Sequence, residues 1–231
     1  MTLLGEAAIA MWWDIDGVPL SEFEDWHSHE HMPERLRVPG FLRGTRWLSV
    51  SGGARYFVMY EVESLETISS RAYLERLNNP TPWSTKMMPH FRNMTRSACR
   101  VRGSFGSGTG QALLTILFSP VAGKEDALVD WLTKTVLPEL AAKAGMVGAH
   151  VLQTVKQSGI AKTKEQDLRG SDASADWVLL ANGYDSAVVD SLASSVLTER
   201  ILVQHGFANG KINDAYRLAY ILTKADLVQS D

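Results

Sequence analysis

Apolar runs and helical stripes alternate along the chain in an order that occurs twice: strand, helix, strand, strand, helix, strand. In the first pass, residues 7–15 form an apolar strand, and Asp16-Gly17 with Pro19 makes the turn that follows. Ser21 is placed as the N-cap of a helix, with Glu22 and Glu24 suiting its positive end. That helix runs to about Arg37 and stops at Pro39-Gly40. Residues 41–50 and 55–63 form a hairpin around Ser51-Gly52-Gly53. A second helix over 65–77 is broken by Asn78-Asn79-Pro80-Thr81-Pro82. A short helical piece over 84–91 leads to a last strand over 96–103. Residues 104–110, with three glycines, read as a linker. The second pass has strands over 112–118, 147–154, 177–184 and 215–222, with helices over 124–143 and 187–205. Between its middle strands, residues 156–176 are long, polar and rich in Lys, Gly and Ser, which predicts a mobile loop.

The strands are apolar on both faces. Tyr56, Val58, Tyr60 and Val62 share one side, while Phe57 and Met59 take the other. Leu113 and Leu117 oppose Leu114, Ile116 and Phe118 in the same way. A sheet with one wet face would alternate apolar with polar. One face should therefore meet helices and the other a second sheet, giving a sandwich or a closed barrel.

The two passes align at an offset of 105 positions. Asp25-Trp26 falls on Asp130-Trp131, Pro33-Glu34 on Pro138-Glu139, and Gly40 on Gly145. Those are five identities in the sixteen positions from Asp25 to Gly40, where chance supplies about one. The reading is a tandem repeat, with residues 1–105 and 111–231 as its units and 104–110 joining them.

Composition narrows the class. The 231 residues are 45% hydrophobic and 21% charged, with a formal net charge of -3, which disfavours disorder and any strong grip on nucleic acid or membrane. A single cysteine, Cys99, excludes an intrachain disulfide framework and multi-cysteine metal sites. With no basic leader and no long apolar span, a cytoplasmic protein is expected.

The candidate chemistry lies in what the halves do not share. The inward stripe of the second half's first helix is Leu128, Trp131, Leu132, Thr135, Val136 and Glu139. Its counterpart is Phe23, Trp26, His27, Glu30, His31 and Glu34. Ionisable groups on an inward stripe are costly unless paired or beside a wet cavity. An imidazole near a carboxylate is a ready general base. Pro33 should kink this helix, because the carbonyl of His29 loses its usual partner. His27 to His31 also matches the H-x-x-E-H pattern of inverted zinc peptidases. No third-ligand helix is evident, so no metal is assigned. Arginine is asymmetric too: eleven Arg and one Lys precede the linker, three Arg and eight Lys follow it. Arg43 and Arg96 could recognise a carboxylate or phenolate.

The repeat resembles the ferredoxin-like unit of the dimeric α+β barrel superfamily. Asp25-Trp26, then Glu30-His31-Met32-Pro33-Glu34-Arg35, then Val38-Pro39-Gly40-Phe41 are similar to the motif of EthD-like and related bacterial proteins. Asn79-Pro80-Thr81-Pro82-Trp83 resembles the segment after their second helix. In the second half Val136 stands where the motif histidine should be, so the site is expected in the first half. The fold implied is α+β: tandem ferredoxin-like βαββαβ repeats whose antiparallel sheets pack into one intrachain barrel. The superfamily hosts cyclases, cofactor-independent monooxygenases, isomerases and haem-degrading enzymes. The leading expectation is an EthD-like enzyme on a small hydrophobic, aromatic or carbonyl-bearing compound, without a cofactor. His31, helped by Glu34, Glu30 or His27, would move a proton; Arg43 or Arg96 would stabilise an enolate or phenolate; Trp26, Trp47 and Tyr60 would shape the pocket. Two alternatives stay open: a non-catalytic, stress-associated ligand-binding barrel, and haem binding through a histidine. Partners are a small molecule and, in assembly, a homodimer of such chains, with neither nucleic acid nor membrane.

Overall fold

Each apolar run expected to be a strand is one, and the eight strands close on themselves. The computed structural model describes residues 3–156, 161–208 and 212–227. In chain order the strands are β1 (Ala7–Ile15), β2 (Phe41–Ser49), β3 (Tyr56–Val62), β4 (Phe91–Gly106), β5 (Ala112–Phe118), β6 (Met146–Thr154), β7 (Trp177–Gly183) and β8 (Ile212–Thr223). They form a closed antiparallel barrel in the order β1-β3-β2-β8-β5-β7-β6-β4. The first half contributes β4-β1-β3-β2 and the second β8-β5-β7-β6, the same order twice. The seams are β2 with β8 and β4 with β6.

Two-faced strands produce three cores. Inside the barrel, Ala8, Ala10, Trp12, Trp47, Phe57 and Met59 meet Leu113, Leu152, Val178, Leu180 and Tyr216. Outside it, each half packs its other strand face under helices, around Trp13, Phe23, Trp26, Tyr56 and Tyr60 in one half and Leu114, Ile116, Leu132, Leu137 and Leu179 in the other. Closure removes the free sheet edges that would otherwise invite pairing with other chains.

The helices are α1 (Leu20–Trp26), α2 (Met32–Leu36), α3 (Leu65–Ile68), α4 (Arg71–Asn78), α5 (Pro82–Met87), α6 (Glu125–Trp131), α7 (Leu137–Ala142), α8 (Lys164–Arg169), α9 (Ser186–Ser191), α10 (Glu199–Gln204) and α11 (Lys224–Leu227). Several expected boundaries move. Pro19, not Ser21, precedes the first helix, so Ser21 lies inside its first turn and makes no cap. The helix expected over 65–77 is split, because the Ser70 hydroxyl accepts the Tyr73 N–H and starts α4 afresh. The one expected over 187–205 is split as well, with Asp185 capping α9 and Thr198 capping α10. Strand β4 is longer than expected and absorbs residues 104–106 of the anticipated linker. Its first part pairs with β1 and its last part with β6, so one continuous strand forms a seam.

Residues 156–176 depart most from expectation. Instead of a free loop, the segment carries α8, opened by a capping box of Thr163 and Gln166. It is tied to β4 by the Arg96 N–H donating to the Ala173 carbonyl and the Ala173 N–H donating to the Met94 carbonyl, both at 2.8 Å. Residues 157–160 of this stretch lie outside the described residues. A segment of the second half thus docks on the first.

Candidate functional site

Proline has no N–H, and that shapes the site. Just before Pro33 the helix widens into one π turn, His27–His31, in which the Met32 N–H donates to the His27 carbonyl five residues back. The kink expected at Pro33 takes this form. The same turn, Leu132–Val136, precedes Pro138 at the same offset of 105. Gly40 and Gly145, each just beyond its helix, take positive φ of 87° and 92° as the chain reverses into β2 and β6. The scaffold is therefore shared, and the side chains it displays differ.

In the first half the π turn presents His27 and His31 to the aromatic floor of β1 and β3. Their rings lie 5.6 Å apart; Trp26 packs on His31 at 4.5 Å, and Trp13 and Phe23 approach His27 at 6.1 and 5.9 Å. A small cavity of about 30 Å³ lies beside them, roughly the space of one water molecule. Its polar lining includes His27, His31, Tyr60, Arg35, Arg96 and Glu165. Nδ1 of His27, Nδ1 of His31 and the Tyr60 hydroxyl are all buried and have no hydrogen-bond partner among the described residues. Three such atoms around one void are uncommon, since buried polar groups are ordinarily paired.

The electrostatics keep both imidazoles neutral. Burial, together with Arg46 and Arg35, holds His27 well below its usual range. Burial and then Arg35 do the same to His31. Burial also raises the Tyr60 phenol. The Arg35 charge is opposed by burial but supported by Glu165, Tyr73 and Tyr60, and the net shift is upward. Arg35 forms a buried ion pair with Glu165 of α8, and its Nη1 lies 3.3 Å from Glu34 Oε2. The Nη2 of Arg96 donates to the Tyr73 hydroxyl at 3.4 Å.

Of the residues anticipated from sequence, His27, His31, Tyr60 and Arg96 come together around this cavity. The others do not line it. Glu30 points at α5, where its Oε1 accepts from Thr81 Oγ1 at 2.5 Å, Trp26 Nε1 at 3.2 Å and Ser84 Oγ at 3.4 Å. Glu34 faces Arg35 and Arg76, and burial raises its carboxyl against their pull. Trp26 supports His31 from behind. Arg43 and Trp47 belong to the barrel interior, where Arg43 meets Glu61 at 2.6 and 3.0 Å. Cys99 is buried, and burial pushes its thiol up to about 12, so it is inert.

Sequence reasoning missed Arg35, Tyr73, Glu165 and Arg169. Arg35 ends the Glu30-His31-Met32-Pro33-Glu34-Arg35 motif, where no pattern in the sequence signals its burial. The Thr163-Lys164-Glu165-Gln166 run carries a capping signature that could have announced α8. Nothing local could have announced that Glu165 is buried, because its partner is 130 residues away. Among the described residues, no three His, Cys, Asp or Glu side chains converge to hold a metal ion. The cavity beside the histidines, at about 30 Å³, is far below the 300–1,000 Å³ of ordinary ligand sites, so neither a porphyrin nor an aromatic substrate enters it unless a wall moves. No helix of the described residues is long and apolar enough to cross a membrane.

No family model and no curated protein sequence matches the chain. Solved structures do match. An anthrone oxidase-like protein superposes with a TM-score of 0.61 at 10% identity, over 97% of this chain and 96% of its own. A proposed monooxygenase from Fusobacterium nucleatum gives 0.57 at 12% identity over 96% of both chains. A proposed chlorite dismutase gives 0.55 at 11% identity, over 96% of this chain and 97% of its own. At these identities the likeness is one of fold. A single chain here supplies all eight strands of the barrel.

Proposed function

We propose that the protein is an EthD-like enzyme that removes or shuttles a proton on a small aromatic or carbonyl-bearing compound. Its outcome would be cofactor-free oxygenation, cyclisation or isomerisation. One observation carries this reading: two neutral imidazoles, each with its Nδ1 unpartnered among the described residues, face a small aromatic-lined cavity in the half of the chain whose sister helix is apolar at both positions. A neutral imidazole accepts a proton without first losing one. His31 is the base and His27 its neighbour in the relay. Arg35 and Arg96 stand where they can stabilise an enolate or phenolate. Residues 1–105 are the unit that keeps the site, and residues 111–231 are its degenerate copy.

The test begins from anthrone, whose benzylic C–H is acidic and whose name attaches to one structural neighbour. Deuterium uptake at that carbon is followed by NMR in D₂O, with oxygen consumption recorded in parallel. Wild type should accelerate uptake, and His31→Ala should lower the rate by about 10²–10⁴-fold while its circular dichroism stays native. Unchanged uptake in His31→Ala removes it as the base. A non-catalytic binding role is the second reading, favoured by the way Glu165 shuts the cavity. It predicts ligand-induced stabilisation with no deuterium uptake.

A further inference from the structure

A carboxylate from the far half of the chain closes the cavity. Glu165 on α8 pairs with Arg35, and both side chains are buried. Arg169, at the end of the same short helix, lines the cavity too and pairs with Asp172 at 3.1 and 2.6 Å. Three guanidinium groups, Arg35, Arg96 and Arg169, therefore surround one small space, and Glu165 supplies the carboxylate that enters it. On the other side of Tyr73, Leu77, Arg96 and Arg169 lies a cleft of about 340 Å³ lined partly by the segment after β6. Those four residues wall both spaces. The cleft alone reaches the size of a small-molecule site, and the histidine cavity alone does not. The four shared side chains thus separate the two spaces, with Glu165 on the histidine side.

A buried guanidinium requires an anion, and its planar fork suits a carboxylate. The chain meets that need from residues 156–176, which lie outside the strand–helix–strand–strand–helix–strand order of its own half. The rest of the histidine cavity is apolar and aromatic, with Met11, Trp13, Phe91 and Met94 among its walls. We infer that the pocket binds a small aromatic anion, a carboxylate or phenolate, whose charged group takes the place of Glu165 on Arg35, so that α8 is a displaceable plug. This deepens the reading above by naming its substrate class, and it rests on that reading only for the location of the pocket.

The experiment compares 2-naphthoate with its neutral isostere 2-naphthamide on the full chain, by tryptophan fluorescence and calorimetry. Glu165→Gln removes the competing charge at nearly constant volume. Naphthoate should bind Glu165→Gln at least about tenfold more tightly than wild type, whereas naphthamide should change by less than about twofold. Should Glu165→Gln not fold, wild type itself must prefer naphthoate over naphthamide by at least about fivefold, with added acetate competing. Equal gains for both probes, or no binding of naphthoate to any form, overturns the inference. Naphthoate binding alongside unchanged deuterium uptake in His31→Ala leaves the plug standing and removes the catalytic reading. The reverse pair of results does the opposite.

Discussion

The two halves share strand order, a first helix at the same offset and even a π turn before proline, yet they treat the inward face of that turn differently. The second half buries Leu132 and Val136 there and builds an ordinary core. The first half places His27 and His31 at the same positions and leaves both Nδ1 atoms without a hydrogen-bond partner among the described residues. Since the fold is made equally well by the apolar version, nothing in the architecture requires the histidines. Groups that a scaffold does not need, and that burial penalises, are the ones to read as functional. The comparison also separates the π turn from the chemistry. It belongs to the scaffold, because it accompanies proline in both halves.

The sharpest way to break this comparison is to make the first half resemble the second. His27→Leu with His31→Val should lower deuterium uptake by about 10²-fold or more. The same change should raise stability by about 1–3 kcal/mol in urea unfolding, because unpaired buried polar atoms are removed. A stable variant with full activity would return the histidines to the core. Next in size is the contact that joins the halves. Glu165→Ala leaves Arg35 buried without its main partner and should destabilise by about 3 kcal/mol, again by urea unfolding. A change below about 0.5 kcal/mol would show that Glu34 suffices for Arg35.

Acid should expose the same asymmetry more gently. In the folded chain His27 and His31 bind protons less readily than in the unfolded chain, and burial followed by Arg43 holds His150 at about 3. Stability is therefore complete above about pH 6.5. It declines as pH falls from there towards the depressed folded values, by up to about 1.4 kcal/mol per pH unit for each histidine. The raised carboxyls of Glu34 and Glu61 act in the opposite sense at lower pH. Melting temperatures between pH 7 and 5 should fall steeply in wild type and less steeply in the His27→Leu, His31→Val variant. Equal slopes would mean that the site histidines do not titrate with unfolding. The smallest effect concerns support of the site. Thr81→Ala removes the α5 cap and one tie to Glu30, and should cost about 1 kcal/mol in thermal unfolding without abolishing deuterium uptake.

Much of the barrel was legible because its cause is local. Two-faced apolar strands such as residues 56–62 cannot rest against water on either side. The 105-residue offset by itself places Pro33 over Pro138 and Gly40 over Gly145. The histidine pair was legible for the same reason, as a departure of one half from the other. What misled was proximity along the helix. Glu30 and Glu34 share a stripe with His31, yet Thr81, Ser84 and Arg76 draw their carboxylates away.

Strand–helix order, the doubly apolar strands and the polar residues that interrupt one helix are written in the chain's local pattern, since each follows from periodicity over a few turns. That residues 161–176 cross to the other half, that Arg35 is buried, and that Glu165 neutralises it followed from the packing of distant segments. Those depend on which distant surfaces meet when the barrel closes. A charge becomes expensive enough to demand a partner only after that closure has removed the water around it.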